Sequence, residues 1–243
     1  MRRIVQLSGV FFLLFTFVSA AVAQGPRPQF RPAVLGSGPT SLINQIDTAE
    51  LFKKGQKDGA VMFCSVVSKT GEAVASWTYR AMPGTEALEQ ELTRKLAGTK
   101  FVPAIYNYQP VGVLFYGTAI YSVVGGKPRL RIFLNQDSRE FGKLTDFIAP
   151  QPVFGGDSGF DGLRPPANGT PVPLTAVVDL SLKVSRDGKL QDLRVLAETP
   201  PLLGFGEAAM ANFRTAKFIP AFRDGDPADS ETVFPVCYKP VDE

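Results

Sequence analysis

The chain has no histidine, a single tryptophan and only two cysteines. Histidine is the usual general base near neutral pH and the commonest metal ligand. Its absence excludes imidazole-dependent triads and histidine-based zinc sites. Cys64 and Cys237 are too few to hold a metal alone. In an oxidising compartment they are a candidate disulfide; the alternative is two separate buried thiols. Neither sign of charge dominates, with 26 basic residues against 23 acidic ones, so there is no footprint for nucleic acid or an anionic membrane surface. Gly155-Gly156 lacks the lysine and helix of a phosphate-binding loop. Asp157, Asp161, Asp224 and Asp226 lie in Gly/Pro-rich turns without a neighbouring base, nucleophile or metal spacing, and read as solvated turn residues. No catalytic residue, metal or cofactor is expected.

Long apolar runs are also scarce, and the one that stands out is N-terminal. Arg2 and Arg3 precede Val10 to Val18, and Ala21-Val22-Ala23 follows as a small-residue cleavage site. Residues 1–23 read as a secretory signal peptide, with a periplasmic or secreted product starting at Gln24. The alternative is a retained anchor, since Ile4 to Ala23 is barely long enough to span a bilayer. Residues 24–44 read as a linker, because Pro26, Pro28, Pro32 and Pro39 crowd its first part. What remains suffices for two domains of roughly 100 residues each, expected at 45–147 and 148–243.

That expectation rests on a repeat. Residues 61–121 and 178–238 align at a constant offset of 117 without a gap. Ser68-Lys69-Thr70-Gly71 falls on Ser185-Arg186-Asp187-Gly188, and Lys100-Phe101-Val102-Pro103-Ala104 on Lys217-Phe218-Ile219-Pro220-Ala221. A period this long describes two small domains rather than a solenoid. Val178, Leu180, Leu182 and Val184 alternate with polar residues as a half-buried strand does. Asp187-Gly188 supplies a turn, and Lys189 to Leu196 returns. Phe205, Ala209 and Phe213 then line one face of a helix, in register with Leu88, Leu92 and Leu96. Thr85 is the expected N-cap of the earlier helix. Proline ends each helical stretch at Lys-Phe-x-Pro-Ala, and an apolar strand closes the unit. The predicted fold is α+β: two tandem ββαβ units, each a helix on a small antiparallel sheet, the earlier one extended by a strand through Leu130, Ile132 and Leu134.

From Val177 to Tyr238 the chain resembles the TonB C-terminal domain family. The resemblance is carried by the alternating strand, Ser185-Arg186-Asp187-Gly188-Lys189-Leu190, the helix, Lys217-Phe218-Ile219-Pro220-Ala221, and Asp224-Gly225-Asp226-Pro227. The earlier copy matches less closely, with Tyr108 where the second glycine should sit. The resemblance implies a helix packed on a small antiparallel sheet. It also implies that a partner, an outer-membrane protein in the best-known members, adds a strand to a sheet edge. The chain departs from the energy-transducing members in its cleavable signal, its short linker and its lack of the anchor histidine.

Two candidate binding features follow. On the sheet face turned away from the helix, Met62, Cys64, Val66 and Trp77 replace the Asp179, Ser181, Lys183 and Arg194 of the later copy. Such an apolar face needs a cover, either the extra strand of its own repeat or a partner anchored on Trp77. The last strand, with Val233, Phe234 and Val236, is either an edge open to a foreign strand or one blunted by Pro235. The expected activity is therefore non-enzymatic: a protein-binding or scaffolding module of the cell envelope. It would touch the membrane only through a partner, and a second copy of the chain is a further candidate partner. A TonB-like energy transducer and a hydrolase are the alternative readings.

Overall fold

The computed structural model describes residues 27–167 and 174–239; residues 1–23, where a signal peptide is expected, lie outside them. Two short strands, β1 (Phe30–Arg31) and β2 (Val34–Leu35), lead into short helices α1 (Leu42–Gln45) and α2 (Thr48–Lys53). There follow β3 (Gly59–Val67), β4 (Ala73–Ala81), α3 (Glu86–Leu96), β5 (Phe101–Val102), β6 (Ala104–Tyr106), the long β7 (Gln109–Val124) and β8 (Lys127–Phe133). After β9 (Phe147–Ile148) and β10 (Gln151–Phe154) come β11 (Ala176–Val184), β12 (Leu190–Thr199) and α4 (Phe205–Phe213). The described chain ends with β13 (Phe218–Ile219), β14 (Ala221–Arg223), β15 (Asp226–Ala228) and β16 (Ser230–Tyr238). The architecture is mixed, mostly sheet with few helices, and compatible with α+β. None of the described helices is long and apolar enough to cross a membrane.

In the first sheet β3 lies between β4 and β7, and the far side of β7 carries β8 along Thr118–Val124 and β10 at Gly112–Val113. Gly125 and Gly126 both take positive φ, the backbone a two-residue hairpin requires. Leu88, Leu92 and Leu96 of α3 are fully buried against Val61, Phe63, Val113, Phe115 and Tyr121. Leu130, Ile132 and Leu134 pack at the margin of this same core. The second sheet has the order β12-β11-β16, antiparallel throughout. Its inner face presents Val178, Leu180, Leu182 and Val184 to Phe205, Ala209 and Phe213 of α4, all of them buried.

Two local details depart from the expectations. Residues 30–35 are strands rather than linker: β1 pairs with β6 and β2 with β5, while Pro32 falls between the two ladders, where no N–H is required. Thr85 precedes α3 but does not cap it; its hydroxyl donates to the Met82 carbonyl at 2.6 Å. Gln56 takes over, its Oε1 accepting from the Leu88 N–H at 2.7 Å. Glu198 has the corresponding place at α4, accepting from the Leu203 and Phe205 N–H groups.

Gly71 and Gly188 share one special position. Both have positive φ, and a Cβ on either would collide with the carbonyl oxygen of Phe101 or Phe218, respectively. The same two phenylalanines donate their N–H groups back to the Gly71 and Gly188 carbonyls. The turn glycine and the Lys-Phe-x-Pro-Ala segment are therefore a packed pair.

Candidate functional site

The strand register sorts the side chains of the two sheets. On β3, β4 and β7, Cys64 stands opposite both Trp77 and Tyr116, on the face turned away from α3. On β16, Phe234 and Val236 stand opposite Leu180 and Val178 on the α4 face, whereas Pro235 and Cys237 stand opposite Asp179 and Val177 on the other.

Side chains from both faces of the second sheet meet the outer face of the first. From the α4 face, the Phe234 ring sits edge-on to Tyr116 with centroids 4.6 Å apart. From the opposite face, Asp179 accepts from Arg80 at 2.8 Å. Just beyond β16, the Lys239 ammonium lies 5.7 Å from the Trp77 ring centroid. Face-to-face stacking would engage one face only; here the outer margin of β16 is set against the first sheet. Cys64, Leu114 and Tyr116 are buried in one apolar cluster with the α4-side core, and Val66, Trp77 and Tyr79 pack against it.

This seam is rich in poorly partnered polar atoms. Trp77 Nε1 and Tyr116 Oη have only the thiol sulfurs of Cys237 and Cys64 as weak partners, and Tyr79 Oη and Asp179 Oδ1 are buried without a hydrogen-bond partner among the described residues. Each such group forfeits its hydration, at a cost of roughly 1–3 kcal/mol. Burial pushes the Tyr79 and Tyr116 phenols and the Cys64 thiol well above their ordinary pKa, and raises Cys237 too. These groups are neutral at physiological pH, and the thiols are poor nucleophiles because the thiolate is the reactive form.

The sequence-predicted residues fall as follows. Cys64 and Cys237 are both buried free thiols, not bonded to each other. Trp77 is partly buried in the seam, so it packs against the chain itself. The expected cover from Leu130, Ile132 and Leu134 is corrected, since those residues serve the α3 core and the second sheet covers the apolar face. Phe234 and Val236 are 1% and 0% exposed, while Val233 is half-buried. The first two are core residues, and only the backbone of their strand is left to offer a partner. Arg80, Asp179, Tyr79 and Tyr116 escaped the sequence reading. Tyr79 follows Trp77 by two residues on one strand, which is a legible signal; nothing local links Arg80 to a residue 99 positions away.

No curated protein and no solved structure matches the chain. Residues 173–240, which span β11 to β16, match the family described as Gram-negative bacterial TonB protein C-terminal. This part of the chain is thus similar to a non-enzymatic, transport-related periplasmic domain that interacts with outer-membrane proteins.

Proposed function

We propose that the protein is an exported, non-enzymatic protein-binding or scaffolding module of the cell envelope. It is built from two copies of one unit, and it takes an extended segment of an envelope protein, such as an outer-membrane protein, as an added strand on β16. The duplication is supported by element bounds: β3 and β11 begin and end 117 residues apart, as do β5 and β13, and β6 and β14. The register supports it as well, since Phe30↔Tyr106 and Arg31↔Ile105 correspond to Phe147↔Arg223 and Ile148↔Phe222 at the same offset.

A difference between the copies carries the binding reading. The outer edge of β7 is taken by β8 and β10, whereas β16, its counterpart, ends its sheet with no strand beyond it among the described residues. A strand ending a sheet has a row of backbone groups without ladder partners, which another chain can pair with once it reaches them. Pro235 is compatible with this position, because a missing N–H is tolerated on the side away from the ladder. Val233, two residues away, directs its backbone to that same side.

A photo-crosslinking residue at position 233 of the exported protein identifies the envelope segment that pairs there, and a synthetic peptide of that segment is then titrated. Val233→Pro removes one outward N–H while leaving the β11 ladder intact. Peptide affinity should drop severalfold in that variant. Unchanged affinity, or crosslinks that do not map to an extended segment, would refute strand addition at β16.

A further inference from the structure

Resting on the strand-addition reading, we propose that the first sheet is a cap on the pairing edge of β16. The chain holds its own binding edge closed, and an extended segment gains access only when the two sheets part.

Three independent observations converge. β16 ends its ladder, and α4 covers Phe234, Val236 and Tyr238 on one of its faces. Pro235 and Cys237 on the opposite face are buried too, with Cys237 3% exposed, and an edge strand whose second face met solvent would leave them exposed, so something lies against it. What lies there is the outer face of the first sheet: Tyr116 against Phe234, Trp77 beneath Lys239, Arg80 on Asp179.

The second observation is the quality of that contact. A permanent interface between folded units satisfies its buried polar groups. This one strands Tyr79 Oη and Asp179 Oδ1, and it leaves Tyr116 Oη and Trp77 Nε1 with only the thiol sulfurs of Cys64 and Cys237 as weak partners. Parting the sheets hands all four back to water, which offsets part of the apolar area exposed. The same groups become free to bond an incoming strand.

The third is the latch. Arg80 and Asp179 form an ion pair between the sheets at 2.8 Å, with their side chains 42% and 18% exposed. The titratable groups facing this pair are Tyr79 and Cys237. A half-exposed pair is a weak tie, suited to release by a competing partner.

The full-length protein tests this through its own thiols. Arg80→Glu opposes Asp179 with a like charge, and Asp179→Lys opposes Arg80 from the other side; juxtaposed like charges are strongly disfavoured. In either variant, N-ethylmaleimide should modify Cys237 and Cys64 at least about tenfold faster than in the native protein, with the unfolding midpoint showing that the chain remains folded. The exchanged pair Arg80→Glu/Asp179→Lys should return to near the native rate. The binding probe is a synthetic peptide of residues 127–133, the segment that already pairs with β7, and fluorescence anisotropy should show it binding the single variants more tightly by a similar factor. Unchanged thiol rates in both single variants would overturn the cap. Equal peptide binding by native and variant proteins would also overturn it, while leaving strand addition standing. Fast thiols without peptide binding would sink strand addition at this edge, although the sheets do part.

Discussion

The side-chain amide of Gln151 pairs with the backbone of Ala33 much as a neighbouring strand would. The Ala33 N–H donates to Gln151 Oε1 at 2.8 Å, and Gln151 Nε2 donates to the Ala33 carbonyl at 2.8 Å. Both residues are buried, and they are 118 positions apart. Gln151 also begins β10, which pairs with β13 through its first two residues and with β7 through its last two. One short strand therefore joins the first sheet to the later half of the chain, and its first side chain secures the N-terminal segment.

Gln151→Leu keeps the bulk but strands a buried donor and a buried acceptor. The expected loss is about 1–3 kcal/mol for each group left unpaired. Chemical denaturation measures the total, and amide exchange at Ala33 should quicken before that of the α3 core.

Gly188→Ala should destabilise by roughly 1–3 kcal/mol from the positive φ alone, with the clash against the Phe218 carbonyl added. Gly71→Ala should behave alike through Phe101. Gly125→Ala makes a useful comparison, since its φ is also positive but nothing lies within 4 Å of the added carbon. Comparing unfolding midpoints separates strain from collision: equal losses at all three positions would refute the packed-pair account.

Acid should weaken one tie between the halves of the chain. Arg223 donates to both oxygens of the largely buried Glu140, and with Lys143 it holds that carboxyl below its ordinary pKa of 4.5. A depressed folded-state pKa means that the stabilisation is fully present above the unfolded value and is lost as pH falls through the folded one. Arg223 is more than a third exposed, so solvent screening limits the expected loss in Glu140→Gln to about 1 kcal/mol at neutral pH. The stability difference between native and variant protein, followed from pH 7 towards 3, should shrink below about 4.5.

Trp77→Ala should cost about 2–3 kcal/mol, less than the 3–5 typical of a fully buried aromatic, because Trp77 keeps some exposure. The loss should be accompanied by faster alkylation of Cys237, since the indole belongs to the seam. Thiol titration of the unfolded, unreduced protein should find two free thiols, matching the structure; none would mean that a bond forms between Cys64 and Cys237.

How far the fold was legible follows from the range of each signal. The alternation of Val178, Leu180, Leu182 and Val184, the four-residue spacing of Leu88, Leu92 and Leu96, and the turn glycines Gly71 and Gly188 are all local. Backbone period and allowed φ act on neighbours in the chain, so these positions stand in the structure where the pattern puts them. Thr85 shows the limit: its residue type suits a cap, but the carbonyl of Met82 and the side chain of Gln56 compete for the bonds involved. Residues 30–35 mislead for a related reason. Proline content argues against a long strand, but two-residue ladders can flank Pro32.

The sequence by itself determined the periodic elements, the offset of 117 between them, the lack of histidine chemistry and the need of an apolar face for a cover. Only the tertiary structure decided what that cover is. Arg80 with Asp179, Tyr116 with Phe234 and Ala33 with Gln151 meet across about a hundred residues or more. Such contacts depend on how one sheet is set against another, and no spacing along the chain encodes that angle. The same packing turned Phe234 and Val236 from candidate contacts into core, because burial is a property of what lies across the seam, whereas alternation records only which side of the strand a residue occupies.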